Sequence, residues 1–258
     1  MLPLYAVFGS PIGHSLSPRI HNAAFGAEGI HAHYFPIEVQ PSTLIHSLKA
    51  FRQLGGVGVN LTRPLKESIV PFLDDMTELA AAAQAANTIV WRDGAWHGDN
   101  TDVRAFVAKV GPTIANRPRP RALVIGAGGV ARGSVVGLRH LDVEVWVTSR
   151  RRAAFGDHWL PWLEMESSEM DWDIVINATP LGQHGEASWA IAPRLSKGKT
   201  VVVDWVYHPR DTWLLKLAVR EGCLFVDGLD LLIEQARWSW QLWFGRLAPA
   251  EPMWKALE

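Results

Sequence analysis

Beginning at residue 121 the chain reads Arg121-Ala-Leu-Val-Ile-Gly126-Ala-Gly128-Gly129-Val-Ala131, an apolar run that breaks into glycines and then into a helical pattern reaching about His140. A second apolar run, Val143 to Thr148, follows. The order strand, glycines, helix, strand admits few folds. Gly126 permits a tight turn, Gly128 lets the backbone approach a pyrophosphate, and the small Ala131 lets the helix lie close to the strand. The start of the helix then offers free N–H groups to phosphates. This is the G-x-G-G-x-A form of a dinucleotide-binding fingerprint.

Where the second strand of such a unit ends, a cofactor without a 2′-phosphate meets an Asp or Glu on its ribose hydroxyls. This chain has Thr148-Ser149-Arg150-Arg151-Arg152 instead. A guanidinium fork matches a phosphate dianion, and each charge-assisted bond contributes about 1.5 to 3 kcal/mol. The expected cofactor is therefore NADP. Arg152 also reads as part of a solvated basic turn.

At 258 residues and 48% hydrophobic content, the chain has material for two modest cores. A formal net charge of -1 gives no reason to expect nucleic acid or an anionic membrane as partner. The single cysteine, Cys223, excludes an internal disulfide and reads as a small buried residue. No apolar run reaches the roughly 18 to 20 residues of a membrane span, and no basic region followed by a signal-like stretch opens the chain. A cytoplasmic location is expected.

Strands at Tyr5–Phe8, Ala32–Ile37 and 56–60 alternate with helices at 18–29 and 42–54, which predicts a mostly parallel sheet. A hairpin turns through Asp93-Gly94, and Thr77 to Ala86 reads as an alanine-rich helix. A helix at Val103–Val110 should end at the linker 111–120, whose glycine and three prolines predict a loop. Further strands at 174–177, 201–204 and 224–226 build a second doubly wound unit. A last helix spans Leu229 to Phe244, with Gly245 suited to its stop. The expected fold class is α/β: two doubly wound domains with a cleft between them. Residues 1–102 plus 229–258 would form a substrate-binding, catalytic domain, and 103–228 an NADP-binding Rossmann domain. Most of the thirteen tryptophans read as core or domain-interface filler.

Two polar runs at strand ends carry candidate chemistry: Asn60-Leu-Thr62-Arg-Pro-Leu-Lys66 and Gly98-Asp-Asn-Thr-Asp102. Lys66 and Asp102 read as a working pair. Each alone also fits a plainer role, Lys66 in a proline-containing turn and Asp102 as a helix cap. The loop Phe8-Gly-Ser-Pro-Ile-Gly-His14-Ser15-Leu-Ser17-Pro18 follows the first strand, at the end where open α/β sheets bind ligands. In an extended loop the hydroxyls of Ser15 and Ser17 share a side and donate together to a carboxylate. Ser17 before Pro18 reads equally as a helix N-cap. His14 and His21 lack a third ligand at a recognisable spacing, so no metal is expected.

These motifs, with Ala86-Asn87-Thr88, Asn177-Ala-Thr-Pro-Leu-Gly182, Asp204-Trp-Val-Tyr207, Asp227-Gly-Leu and Gln235, occur in the order found in the shikimate dehydrogenases, which the chain resembles over nearly its whole length. That resemblance implies NADP-dependent reversible reduction of 3-dehydroshikimate to shikimate, a step toward aromatic amino acids. The sequence does not choose between a monomer and a homodimer. The resemblance also implies that Ser15, Ser17 and Tyr207 hold the substrate carboxylate. Thr62, Asn87, Asp102 and Gln235 would bind ring hydroxyls, with Asn60 lining the same cleft. Lys66 would be the proton donor in reduction and acceptor in oxidation. Gly126, Ala127, Gly128, Gly129, Val130, Ser149, Arg150, Arg151, Trp205 and Gly228 would surround NADP, with Glu78 near the nicotinamide end. The chain departs from the family pattern at Asp230, often glycine, and at Arg151, often threonine. Two rival readings stay open: a quinate-oxidising relative that accepts NAD, and a catalytically silent module that senses nucleotide and small acids. Ser149-Arg-Arg and Ser15-Leu-Ser17 count against the first, and the presence of Lys66 and Asp102 against the second.

Overall fold

Tyr5 to Gly9 are all buried in the first strand, β1 (Leu4–Gly9), at the heart of a sheet in this computed structural model, which describes residues 2–150, 152, 155–185 and 189–258. By its internal contacts the chain divides into two units, Met1–Arg104 with Ile233–Glu258, and Ala105–Leu232. In the first unit α1 (Ser17–Ala27) leads to β2 (His33–Glu38), and α2 (Leu44–Gln53) to β3 (Gly56–Leu61). The short α3 (Leu65–Ser68), β4 (Asp75–Met76) and α4 (Glu78–Ala83) precede the hairpin of β5 (Thr88–Arg92) and β6 (Ala95–Asp99). Asp93 and Gly94 at its tip have φ of 53° and 82°, the left-handed pair that a two-residue hairpin requires.

The sheet order is β2-β1-β3-β5-β6-β4. β1 pairs in parallel with both β2 and β3, whereas β3/β5 and β5/β6 are antiparallel. The unit is thus half doubly wound and half hairpin, a more mixed sheet than its sequence pattern predicts. β1 lies between β2 and β3, so the chain reverses its winding there. Ligands of open α/β sheets bind at the carboxyl ends of such strands. Phe8, Leu48, Leu61, Leu65 and Ile69 form the core beneath.

The chain leaves the first unit within α5 (Thr101–Ile114). This helix runs through Gly111 and Pro112, where the proline count predicts a loop. Phe106, Val110 and Ile114, spaced four apart, are all buried in the second unit's core. Burying each of these apolar side chains contributes about 1.5 to 3 kcal/mol, together enough to offset the roughly 3 kcal/mol that an interior proline costs.

The second unit comprises β7 (Arg121–Ile125), α6 (Gly129–His140), β8 (Glu144–Ser149), β9 (His158–Pro161), β10 (Ile174–Asn177), β11 (Val201–Asp204), α7 (Trp213–Arg220) and β12 (Leu224–Val226). All its strand pairs are parallel. Their order, β12-β11-β10-β7-β8-β9, is the dinucleotide-binding order, with the switch between β7 and β10. Ile-Val-Ile-Asn of β10 and Val-Val-Val-Asp of β11 are buried throughout, as strands covered on both faces must be. Cys223 is a free, buried thiol. β9 and the final helix below were not legible as separate elements.

The chain returns to the first unit within α8 (Gly228–Phe244) and ends in α9 (Ala250–Lys255). Trp240 and Trp243 of α8 complete an aromatic cluster with Tyr5 and Phe25, ring centroids 4.8 to 5.3 Å apart. None of the helices, among the described residues, is long and apolar enough to cross a membrane.

Candidate functional site

In the first unit, Lys66 enters on α3 directly after β3. Its backbone carbonyl accepts from Ala86 N at 2.9 Å, which ties the lysine turn to the segment carrying Asn87. Lys66 Nζ meets Asp102 Oδ2 at 2.6 Å, with their side chains 26% and 22% exposed. Asp102 lies in the first turn of α5, where the helix dipole favours a carboxylate. Asn100, whose Oδ1 accepts from Val103 N at 3.2 Å, caps that helix.

Beside this pair, Asn87 is buried, and its Oδ1 accepts from Thr101 N at 2.7 Å and from the hydroxyls of Thr88 and Thr101 at 3.1 Å. These donors settle which amide atom is oxygen. Asn87 Nδ2 has no partner among the described residues and remains a donor for a ligand. Asn60 is held from inside the unit. Its Nδ2 donates to Thr88 Oγ1 and Ser239 Oγ, each at 2.9 Å, and its Oδ1 accepts from the Tyr34 hydroxyl at 2.8 Å. With both ends of its amide engaged inside the unit, Asn60 is fixed in orientation.

The serine loop is also not extended. Leu16 is helical (φ −83°, ψ −11°) and Ser17 is the first residue of α1, without a capping bond of its own. Ser15 Oγ accepts from Ser17 N at 3.3 Å, two residues on. Both hydroxyls therefore sit at the opening turn of α1, Ser17 nearly buried and Ser15 half-buried. Thr62 stands at the end of β3 against the end of β1. A Cβ on Gly9 would come within 2.3 Å of its methyl group, so only glycine fits there. Gln235 is buried on α8, and Glu78 is exposed at the start of α4.

In the second unit, Gly126 follows β7 at φ +125°, its N–H on Thr148 O at 2.8 Å. A Cβ there would lie 2.9 Å from Ala178 O. Ala127, Gly128 and Gly129 are exposed, nothing occupies the space beside Gly128, and no side chain caps α6. This uncapped terminus beside a glycine turn at the switch point fits the pyrophosphate of a dinucleotide. Val130 is half-buried and Ala131 fully buried. At the end of β8, Ser149 is buried and Arg150 exposed, as a phosphate contact would need; Arg151 lies outside the described residues.

Trp205 is half-buried. Its Nε1 donates to Ser134 Oγ at 3.0 Å and its ring stacks on Phe106, centroids 6.4 Å apart. Gly228 opens α8 because a Cβ there would lie 2.5 Å from Val206 O. The turn to the half-buried Tyr207 is shaped by Asp204, whose Oδ1 accepts from Val206 N and Asn177 Nδ2 and whose Oδ2 accepts from Thr212 Oγ1. Burial pushes the Asp204 carboxyl up to about 6.

No group of three potential metal ligands exists among the described residues. His21 is a core residue. Burial lowers its pKa to about 3, its Nδ1 accepts from Trp240 Nε1 at 3.1 Å, and its ring stacks on Tyr34. Sequence reasoning overlooked the supporting groups Tyr34, Thr101 and Asp99. Asp99 and Thr101 stand within the polar run 98–102, whose density was a signal; Tyr34 carried none.

Residues 7–89 match the family model described as shikimate dehydrogenase substrate binding domain, and residues 228–258 that of the shikimate 5'-dehydrogenase C-terminal domain. Shikimate dehydrogenase (NADP(+)) of Roseobacter denitrificans is 35% identical over 95% of this chain and 93% of its own. Among solved structures, shikimate 5-dehydrogenase from Thermus thermophilus, in complex with NADP(H) and shikimate, matches with TM-score 0.85 and 32% identity over 99% of this chain and 98% of its own. Quinate dehydrogenase from Corynebacterium glutamicum, in complex with NAD, matches with TM-score 0.88 and 27% identity over 99% of this chain and 98% of its own.

Proposed function

The chain belongs to the shikimate dehydrogenase family, and from that premise we propose that it catalyses the NADPH-dependent, reversible reduction of 3-dehydroshikimate to shikimate. One observation carries the mechanism: Lys66 Nζ on Asp102 Oδ2 at 2.6 Å, half-sheltered, beside an Asn87 amide with its donor unengaged. As negative charge grows on the substrate C3 oxygen, the Lys66 ammonium stabilises it and delivers a proton. Asp102, an acceptor when ionised, holds the ammonium and takes a hydrogen bond from a neighbouring ring hydroxyl. Asn87 Nδ2 donates to a hydroxyl oxygen, and Thr62 and Gln235 complete the ring contacts. Ser15, Ser17 and Tyr207 receive the carboxylate. In oxidation Lys66 takes the proton back.

NADP, when bound, supplies and accepts the hydride. Gly126 to Val130 would hold its pyrophosphate, with Ser149, Arg150 and Arg151 at the 2′-phosphate. Trp205, Gly228 and Glu78 would border it, Trp205 and Gly228 by shaping the backbone nearby. A cytoplasmic enzyme, monomeric or homodimeric, accords with such a biosynthetic step; light scattering on the purified protein decides the assembly.

Steady-state assays following NADPH absorbance, with shikimate and quinate against NADP and NAD, test the reading. Shikimate with NADP should give the highest kcat/KM. Faster turnover of quinate with NAD refutes the substrate assignment, and ligand binding without turnover refutes catalysis. Lys66→Met should lower kcat by about 10² to 10⁴ and leave KM nearly unchanged. A change confined to KM would move Lys66 from chemistry to binding.

A further inference from the structure

Asp99, the last residue of β6, carries a carboxylate that the proposed reaction does not use, yet it is only 3% exposed. Its Oδ1 accepts from Thr77 Oγ1 at 2.6 Å and from Asn100 N at 2.7 Å, and its Oδ2 accepts from Arg104 Nε. A buried carboxylate that loses a cationic partner is strongly destabilised, so this ion pair holds its geometry firmly. The guanidinium has a second fixed contact, lying over the Trp238 ring 5.5 Å from its centroid.

The ion pair spans a short stretch of chain. Between its ends Asn100 Nδ2 donates to Ala85 O at 3.0 Å, Thr101 N donates to Asn87 Oδ1, and Arg104 N donates to Asn100 O at 3.3 Å. Asp102 sits in the middle of that stretch. Thr77, the other side-chain donor to Asp99, is also the N-cap of α4. Asp99 thus joins the end of β6, the start of α4 and the first turn of α5.

We propose that Arg104 is a positioning residue: by strapping the 99–104 turn through Asp99, it sets the rotation of the first turn of α5 and hence the line between Asp102 and Lys66. The assignment rests on the reading of Lys66 and Asp102 as the reacting pair. Arg104→Met keeps the aliphatic stem and removes the fork. Its kcat should fall by about tenfold to a hundredfold, the scale of a displacement of about 1 Å at a reacting group, with KM for shikimate within about threefold of wild type. Arg104→Lys should restore most of kcat, whereas Asp99→Asn combined with Arg104→Met should stay as low as Arg104→Met alone, because relieving the unpaired charge does not replace the strap; recovery in the double variant overturns the proposal.

A purely structural role would lower the melting temperature and leave kcat per titrated active site unchanged; that result overturns the proposal. So does a loss equal in Arg104→Lys and Arg104→Met, the variant to rely on being Arg104→Lys if the methionine protein fails to fold. Wild-type turnover and its loss in Lys66→Met test the underlying reading separately. Should the wild type prove inactive, a crystal structure of Arg104→Met still decides, since the proposal requires Lys66 Nζ and Asp102 Oδ2 to separate beyond hydrogen-bond reach and fails if they do not.

Discussion

Asp204 ends β11 with no exposed surface, and its titration should be visible in the stability of the dinucleotide-binding unit. Burial raises its carboxyl from the ordinary 3.8 to about 6, against the opposing pull of donors on Thr212, Val206 and Asn177 and with a further push from the Asp227 charge. Because the folded value lies above the unfolded one, the folded state binds more protons in that window. Stability is then full below about pH 4, falls as pH rises, and levels off above about pH 6. At about 1.4 kcal/mol per pH unit the interval is worth about 3 kcal/mol. Asp204→Asn removes the titration and keeps the hydrogen bonds if the Thr212 hydroxyl turns from donor to acceptor. Urea unfolding followed by circular dichroism, from about pH 4 to about pH 7, should show the variant gaining about 3 kcal/mol on the wild type across that range. A difference that stays constant with pH would refute the buried, proton-linked carboxylate.

Two further predictions concern the cofactor site. Gly126→Ala places a side chain at φ +125° and 2.9 Å from Ala178 O; a cost of about 1 to 3 kcal/mol in stability is expected, with weaker NADP binding, measured by melting temperature and by titration. Arg150→Glu should weaken NADP binding by roughly tenfold to a hundredfold and leave NAD binding within about threefold, since only NADP carries the phosphate. Equal losses for both cofactors would assign Arg150 to the fold.

The elements legible in the sequence are those whose signal is local. The glycine fingerprint at 126–131, the Asp93-Gly94 hairpin and the valine-rich strands each announce themselves within a few residues, because φ preferences and pleat periodicity act at that range. Lys66 and Asp102 were legible as candidates for a similar reason, since polar runs follow apolar strands at the sheet ends. Pro112 shows where local rules lose. Its preference to end the helix yields to the burial of Val110 and Ile114, and that burial depends on a core assembled from β7, β8 and β10. At Ser17 the two readings available from sequence, extended loop or N-cap, both gave way to a third: Ser17 is the first helical residue, and its N–H is taken by the Ser15 hydroxyl.

Nonlocal polar partners explain the rest. The resemblance placed Asn60 at the cleft but said nothing of what holds it there: its oxygen accepts from Tyr34 and its donors reach Thr88 and Ser239, a hydroxyl on a helix 179 positions away. No spacing rule links those residues; only the closed fold shows how the amide is oriented. Asn87 is the converse case. Its oxygen is taken by Thr88 and Thr101, which leaves the nitrogen unengaged among the described residues and fixes it as a donor. Residue type alone therefore sets what chemistry a side chain could do, whereas the surrounding donors and acceptors decide which half of it remains. On that ground Asn87→Asp should harm substrate binding more than its isosteric shape suggests. It replaces the outward donor with an acceptor beside Asp102, so KM for shikimate should rise by at least about tenfold. A KM unchanged from wild type would show that the ligand does not meet this amide at all.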